Sequence, residues 1–376
     1  MKQKILLIVN EFKNIINFRL SLIKYLSNKN IIIEVLCYSN KDSYENKIKE
    51  LNGIKIYFLT GDSKSTKIFS EIKNIFKLLV LIKSIKPNLI MSFTVKPNIY
   101  SSLISKIFRI NNLITITGLG STYIEGGNLN KIIFSLYKIF KNRKTKYIFQ
   151  NKFDAEVFKQ NRITSDIKFI IPGSGVNLDK YKKNLEFLIN NKSQTFNFLF
   201  IGRLITHKGI EEFYNAAIKL ISNSNKKLKF LVVGQYDKFD QYSIDQTLYN
   251  KIHKNENFEL VGYTSNVTKY ILKSNCILLS SKREGMPMAL LEAGSIGRAL
   301  IASDVPGCNE IVIDNFNGFK YKSGNIEDLF NKMTKMINLS QKQILRFSYN
   351  SHKHISANFS SKIINDKYYK IIQENL

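Results

Sequence analysis

Short, uninterrupted apolar runs recur along this chain with amphipathic stretches between them, and that alternation narrows the fold more than any other feature. K-I-L-L-I-V-N (4–10) leads into a stretch of helical period ending near Ser27, and I-I-I-E-V-L-C-Y (31–38) follows. N-L-I-M-S-F (88–93), N-L-I-T-I-T (112–117), K-Y-I-F-Q (146–150) and K-F-I-I-P (168–172) continue the series, each preceded by a helical pattern. A strand that is apolar at nearly every position is covered on both faces, the condition of a parallel sheet flanked by helices. The rhythm stops in a polar, Asn- and Lys-rich stretch from Asn177 to Phe196. It restarts with F-N-F-L-F-I-G-R (196–203), K-F-L-V-V-G (229–234), N-F-E-L-V-G-Y (257–263), C-I-L-L-S-S (276–281) and A-L-I-A-S-D (299–304).

Two such series in 376 residues, enough chain for two cores, predict an α/β protein of two Rossmann-like domains facing each other across a cleft. The expected boundaries are a first domain over 1–178, a linker over 179–195 and a second domain over 196–355. A C-terminal helix over 356–376 is expected to cross back to the first domain, and Asn325 to Leu376 reads as helical with no further strand.

Charge limits the partners. Fifty-seven Lys and Arg against 29 Asp and Glu give a net +28, and residues 1–180 alone, with 30 basic and 12 acidic groups, carry +18 of it. A field of that sign favours nucleic acid, an anionic membrane surface or a phosphate-bearing substrate. AT-rich coding DNA, which enriches Lys, Ile and Asn, is a second source of the same excess. No zinc spacing or basic-aromatic strand motif accompanies the charge, which speaks against nucleic acid as a partner. The three cysteines, Cys37, Cys276 and Cys308, have no CxxC spacing and read as buried thiols of a reducing compartment. The N-terminal apolar run is too short for a signal peptide and no run is long enough to span a bilayer, so a cytoplasmic protein is expected.

In open α/β sheets the ligand lies at the carboxyl ends of the strands, so the residues after each strand carry the chemistry. After 276–281 comes R-E-G-M-P-M-A-L-L-E-A (283–293). Pro287 suits the first turn of a helix, and Gly285 lets backbone approach a ligand. The amides of Gly285, Met286 and Met288 then face an anion at the positive end of the helix dipole. Glu284 is placed in the loop and Glu292 inside the helix, eight residues or roughly 12 Å of helix apart, a span that lets the two carboxylates hold hydroxyls at both ends of one elongated nucleotide-sugar. Two solvated glutamates flanking a core helix would give the same pattern. After 197–201, G-R-L-I-T-H-K-G (202–209) offers Arg203 and Lys208 to a diphosphate, with Gly202 and Gly209 relieving crowding, although both cations also read as ordinary surface groups. Tyr263, closing another strand, is a candidate to lie beside a base, or a rim tyrosine.

Taken together, G-R-x4-K-G, a G-Y turn and E-G-x-P-x4-E, in this order, closely resemble the retaining glycosyltransferases of the GT-B fold, family 4. T-G-L-G-S-T-Y-I-E-G-G (117–127), N-K-F-D-A-E-V-F (151–158), P-G-S-G-V-N (172–177) and S-D-V-P-G-C-N-E (303–310) extend the resemblance over nearly the whole chain. It is nearest to bacterial enzymes that add a hexose or N-acetylhexosamine, such as N-acetylgalactosamine, to a polyprenyl-diphosphate-linked saccharide. The resemblance implies a first domain that binds the acceptor and a second that binds a UDP-sugar. It implies Arg203 and Lys208 on the donor diphosphate, Glu284 on the donor sugar's hydroxyls and Glu292 on the ribose. Arg203, Lys208 and Glu284 would be the catalytic residues, with Gly202, Tyr263 and the amides of Gly285, Met286 and Met288 completing the donor site.

Asn10, Arg19, Gly120 and Ser121 are the acceptor-side candidates. Here the chain departs from the family: the usual glycine-rich loop after the first strand is replaced by N-E-F-K-N-I-I-N-F-R (10–19). All four histidines (207, 253, 352 and 354) lie in the second half, leaving no counterpart for the first-domain histidine of many relatives.

The implied reaction is metal-independent and needs no cofactor. No D-x-D occurs, and a cation pair would serve as the clamp on the leaving diphosphate. The basic first half, and above all 131–146 with Lys131, Lys138, Lys141, Arg143, Lys144 and Lys146, suggests an interfacial helix on the inner face of a bacterial plasma membrane, or equally a sheet-packing helix with a lysine-rich outer side. I-F-K-L-L-V-L-I-K-S-I (75–85) reads as a core helix. The competing functions are a UDP-N-acetylhexosamine epimerase on the same fold and a nucleic-acid-binding protein.

Overall fold

The computed structural model describes residues 2–39, 44–51, 53–59, 68–181 and 195–376. The chain divides into two compact units, Met1–Ser174 with Ser361–Leu376, and Gly175–Ser360. The expected linker, 179–195, lies mostly outside the described residues.

In the first unit, β1 (Lys4–Val9), β2 (Ile32–Tyr38), β3 (Lys55–Leu59), β4 (Leu89–Phe93), β5 (Asn111–Ile116), β6 (Thr145–Phe149) and β7 (Phe169–Ile170) form one sheet in the order β3-β2-β1-β4-β5-β6-β7. Its pairings are parallel throughout. The pleat sends alternate residues of β1 into separate cores. Ile5, Leu7 and Val9 meet the 20–27 segment and the C-terminal helix Ser361–Gln373. Leu6 and Ile8 meet the helices Ile68–Ile85, Val95–Phe108, Asn128–Ile139 and Lys152–Gln160. Double-sided burial is why this strand tolerates no polar position, each fully buried Leu or Ile contributing about 1.5–3 kcal/mol.

The second unit repeats the plan with β8 (Thr195–Ile201), β9 (Lys227–Val233), β10 (Phe258–Gly262), β11 (Cys276–Leu279), β12 (Ala299–Ser303) and β13 (Gly318–Tyr321), in the order β10-β9-β8-β11-β12-β13, again parallel. Helices Ile210–Ser222 and Ile326–Ile337 cover one face. Val267–Lys273, Met288–Ser295 and the end of Gln341–Phe359 cover the other. Asn266, Asn325 and Ser340 start three of the unit's helices by accepting an amide hydrogen bond, Ser340 within a capping box.

Several details differ from the sequence reading. Strands β3 and β13 are additional: β3 is only partly buried on both faces and opens on exposed Lys55, and β13 is four residues long with Lys320 between buried Phe319 and Tyr321, so neither gives a continuous apolar signal. The second unit begins at Gly175, because Val176 and Tyr181 are buried in its core and the Val176 amide bonds Phe359 O at 2.9 Å. The C-terminal crossing falls at Ser360, whose extended backbone (φ −63°, ψ 144°) separates Gln341–Phe359 from Ser361–Gln373. The 131–146 stretch is not one helix: Asn128–Ile139 ends before the cluster of cations, and Thr145 already belongs to β6.

Candidate active site

Sheet order fixes where a site can form. In the second unit β8 sits between β9 and β11, so the chain leaves β8 in one direction and β11 in the other, and their loops part to leave a crevice at the carboxyl ends. Both sequence clusters lie on these two loops.

After β8 the chain passes Gly202 and Arg203, makes a 3₁₀ turn over Thr206–Lys208 and enters Ile210–Ser222 through Gly209. Gly209 has φ +68°, and a Cβ there would come within 2.0 Å of Ser280 O. Only glycine fits. In return the Ser280 hydroxyl, at the end of β11, donates to Gly209 O at 2.7 Å and stands 3.1 Å from Lys208 O. The Lys208 backbone is thereby fastened to the strand that carries the opposite loop. Across the crevice the Lys208 ammonium bonds the Glu284 carboxylate, which also accepts from the Ser281 hydroxyl at 2.5 Å. Both side chains are largely shielded, with 25% and 12% exposure.

Glu284 is held from behind as well. Gly307 has φ +85°, and a Cβ on it would stand 2.8 Å from the carbonyls of Glu284 and Gly285. Its amide bonds Glu310 Oε2 at 2.8 Å. The Ser303 hydroxyl bonds Ser281 O. Residues 284–287 form a loop, and the helix starts at Met288 with Pro287 as its N-cap. The carboxylates of Glu284 and Glu292 are therefore separated by loop plus one helical turn, not by eight residues of helix. Its N-cap residue, Pro287, gives no side-chain hydrogen bond, so among the described residues no N-cap side chain takes up the first amides, which suit an anion. Met286 contributes backbone only, its side chain being buried in the core, and Met288 packs against the same cluster.

Glu292 takes up a different environment from Glu284. Burial raises its carboxyl above the ordinary value, and the nearby Lys180 charge and the Tyr181 hydroxyl, 3.3 Å from Oε1, oppose the shift only in part. Burial and the Glu292 charge push the Tyr181 phenol up in turn. Arg203 points to Asp240, with 3.5 Å between Nη1 and Oδ2 and more than half of its side chain exposed. Asp240 belongs to the loop after β9, which is laid against the 203–208 segment by Leu204 N to Gln235 O (3.0 Å), Thr206 N to Tyr242 O (2.9 Å) and Ile244 N to Leu204 O (3.1 Å). Tyr263 projects into solvent, 72% exposed, one residue beyond β10.

Gly202 has ordinary room, with the Phe200 ring 3.5 Å from its would-be Cβ; the crowded neighbour is Gly234, whose Cβ would fall 1.7 Å from Gly202 O. The strand ends of β8, β9 and β10 are thus drawn together at Gly202, Gly234 and Gly262, through Gly202 N to Val233 O and Gly234 N to Gly262 O, each 2.9 Å. Ser280, Ser281, Ser303, Gly234, Gly307 and Asp240 are supports the sequence reading did not single out. Only S-D-V-P-G-C-N-E carried a hint, and there for the motif rather than for Gly307.

The first unit has the same switch point between β1 and β4. Arg19 ends a π-helical turn, Ile15–Arg19, after β1 and is 2% exposed. Its guanidinium lies 3.8 Å from the centre of the Phe93 ring, and Nη1 reaches Ser174 Oγ at 3.2 Å. Burial lowers its pKa, and Tyr368 opposes that shift. Nε has no hydrogen-bond partner among the described residues. Next to Phe93, Thr94 holds φ +75°, a conformation costing a threonine about 1–3 kcal/mol and characteristic of functional sites. Asn10 bonds only loosely to Asn14, at 3.4 Å. Gly120 (φ +78°) starts the short helix Ser121–Glu125, with open space around it. The Ser121 side chain is outside the described residues. Arg19 meets Phe93 and Ser174, while Asn10 and Gly120 occupy separate strand ends.

Two family models tile this architecture. Residues 4–151 match "Glycosyl transferase 4-like" and residues 189–354 match "Glycosyl transferases group 1". The chain is a group 1 glycosyltransferase. The transferase is 28% identical to the N,N'-diacetylbacillosaminyl-diphospho-undecaprenol alpha-1,3-N-acetylgalactosaminyltransferase of Campylobacter jejuni, with 95% of each chain covered. It is 25% identical to the capsular polysaccharide biosynthesis glycosyltransferase CapM of Staphylococcus aureus, over 96% of its own length and 94% of that protein. Among solved structures, Anabaena HepE in complex with UDP and glucose superposes with a TM-score of 0.80 at 15% identity, covering 99% of the transferase and 100% of that chain. That likeness is one of fold, the GT-B pairing of Rossmann-like units. The epimerase alternative falls with these matches.

Proposed function

We propose that the protein transfers a hexose or N-acetylhexosamine from a UDP-sugar to a polyprenyl-diphosphate-linked saccharide, with retention at the anomeric carbon, without a metal, at the inner face of a bacterial plasma membrane. The observation that carries the reading is the Lys208–Glu284 pair across the β8/β11 crevice, with Arg203 on the same loop and an uncapped helix N-terminus beside it. A donor diphosphate at that N-terminus meets the amides after Glu284 and both cations. When the bond from the anomeric carbon to the diphosphate oxygen breaks, charge develops where Lys208 and Arg203 stand, and fixed cations in a partly dry site stabilise it as a metal would. The acceptor hydroxyl oxygen then bonds to the same face of the sugar, and its proton passes to the departing diphosphate oxygen on that face.

In this reading Glu284 turns from Lys208 toward the sugar's hydroxyls, and Glu292 holds the ribose. The Campylobacter relative acts on a diphospho-undecaprenol-linked sugar and HepE binds UDP and glucose, which supports the choice of acceptor and donor class. The first unit, with Arg19 at its own switch point, is the acceptor side in this reading. The test is calorimetric titration of UDP, GDP and ADP with EDTA present, then turnover of UDP-sugars on a polyprenyl-diphosphate acceptor with the anomeric configuration read by NMR. UDP-selective binding and a retained configuration are expected. Absence of nucleotide binding sinks the donor assignment, and an inverted product sinks the stereochemistry.

A further inference from the structure

The helix Ile68–Ile85 has a core side and an outer side, and both are apolar. Leu78, Ile82 and Ile85 are buried in the first unit's core, yet Ile72, Phe76 and Val80 are 58%, 67% and 57% exposed. Spaced four apart, these three form one ridge along the helix, roughly 12 Å long between the first and last. Lys83 continues the line, and Lys73 and Lys77 edge it. The helix's acid, Glu71, is engaged by Lys96 at 3.0 Å. The sequence reads 75–85 as a core helix; the structure buries one side of it and leaves a second apolar side exposed.

The same pattern recurs in the helices of the same layer, which share one core cluster with Ile68–Ile85 on one face of the sheet. Asn128–Ile139 leaves Leu129, Ile132 and Ile139 exposed beside Lys131 and Lys138, and Val95–Phe108 ends in exposed Ile107 and Phe108 beside Lys106. Lys106 bonds Ile139 O at 3.1 Å, which sets these two helix ends together. Apolar ridges rimmed by ammonium groups suit an interface whose interior is hydrocarbon and whose surface is anionic: the side chains enter it and the lysines snorkel to the headgroups. A second copy of this chain fits poorly, since a self-complementary contact would bring the same lysines against each other.

We propose that the outer side of this helix layer, led by the Ile72–Phe76–Val80 ridge, is the surface that seats the protein on an anionic lipid bilayer. It deepens the membrane-side reading above by naming the seat, and its test is separable from the transferase reading. Partition is measured by co-sedimentation with phosphatidylcholine vesicles with and without phosphatidylglycerol, at rising salt. Wild type binds the phosphatidylglycerol vesicles and is released by salt. Phe76→Ser with Val80→Ser lowers partition at least tenfold, and Lys73→Gln with Lys77→Gln lowers it roughly fivefold per lysine while flattening the salt dependence. Both variants retain wild-type UDP affinity and turnover on a short-chain, water-soluble acceptor, because the altered side chains lie outside the core.

Partition of the serine variant equal to wild type, or wild-type indifference to phosphatidylglycerol, overturns the proposal. So does a wild-type dimer in sedimentation velocity that the serine variant lacks, since the ridge would then be covered by a second copy. Loss of UDP binding in wild type strikes the transferase reading instead and leaves the partition result standing.

Discussion

Glu292→Gln separates binding from stability at one atom. If Glu292 holds both ribose hydroxyls, each bond is made to a charged acceptor and is worth about 1.5–3 kcal/mol, against about 0.5–1.5 kcal/mol for a neutral amide. Two such exchanges cost about 2–3 kcal/mol, or roughly 30- to 150-fold in the UDP dissociation constant. The same substitution should act the other way on the unliganded protein. Burial raises the Glu292 carboxyl above its ordinary value, so the folded state resists its ionisation. A raised carboxylate pKa means the folded chain binds its proton more tightly than the unfolded chain. Stability is therefore lost as pH rises from the ordinary glutamate range through the raised value, and stays reduced above it.

Glutamine removes that slope, so at neutral pH Glu292→Gln should melt at or above wild type, the difference closing in acid. Calorimetry with UDP and thermal melts across pH measure both quantities. Unchanged UDP affinity would refute the ribose role. Weaker UDP binding together with a lower melting temperature would refute the reasoning differently, by making the loss one of folding.

Lys208→Ala should lower kcat for sugar transfer by roughly 10²–10³, the usual effect of removing one donor aimed at developing charge, while UDP still binds; steady-state kinetics on a UDP-sugar decides. Gly209→Ala, which drives a Cβ to within 2.0 Å of Ser280 O at positive φ, should cost several kcal/mol in denaturant unfolding and disturb transfer along with it. Asp240→Asn releases Arg203 from a half-exposed ion pair worth at most about 1 kcal/mol, so the melting temperature should barely move and UDP affinity should not fall. Transfer should survive EDTA if the cations stand in for a metal; activity lost to EDTA and restored by a divalent ion would end that account.

How far the sequence reaches depends on which force shapes each part. Strands such as β1, β4 and β11 announce themselves because both faces are buried, whereas β3, only partly buried and opening on Lys55, and β13, four residues long and interrupted by Lys320, fall below that signal. The loop residues of the candidate site stand out because strand ends are where ligands bind, and motif spacing then singles out Lys208 and Glu284. Their partners do not stand out. Tyr181 meets Glu292 from 111 positions away, and Asp240 meets Arg203 only because the loop after β9 folds against the loop after β8. Gly234 is indistinguishable from Gly202 in the sequence, since the difference lies in which carbonyl approaches which Cα. The exposed ridge of Ile68–Ile85 is hidden because an apolar residue gives no sign of which side of a helix it occupies until the sheet chooses one.

The first unit is completed by residues far along the chain. Ile364, Tyr368, Ile371 and Ile372 lie in the same core as Ile5, Leu7 and Val9, and Tyr25 donates to Asp366 at 2.6 Å. During translation, residues 1–174 leave the ribosome long before 361–376, with all of 175–360 made in between. Part of one side of the first sheet therefore waits, its apolar surface covered by the 12–26 segment but not yet by the C-terminal helix, while the second unit is synthesised and can close by itself. Order of synthesis is thus the reverse of order of completion: the half that begins first is finished last, and a ribosome that stalls before residue 361 leaves a folded second unit joined to an open first one.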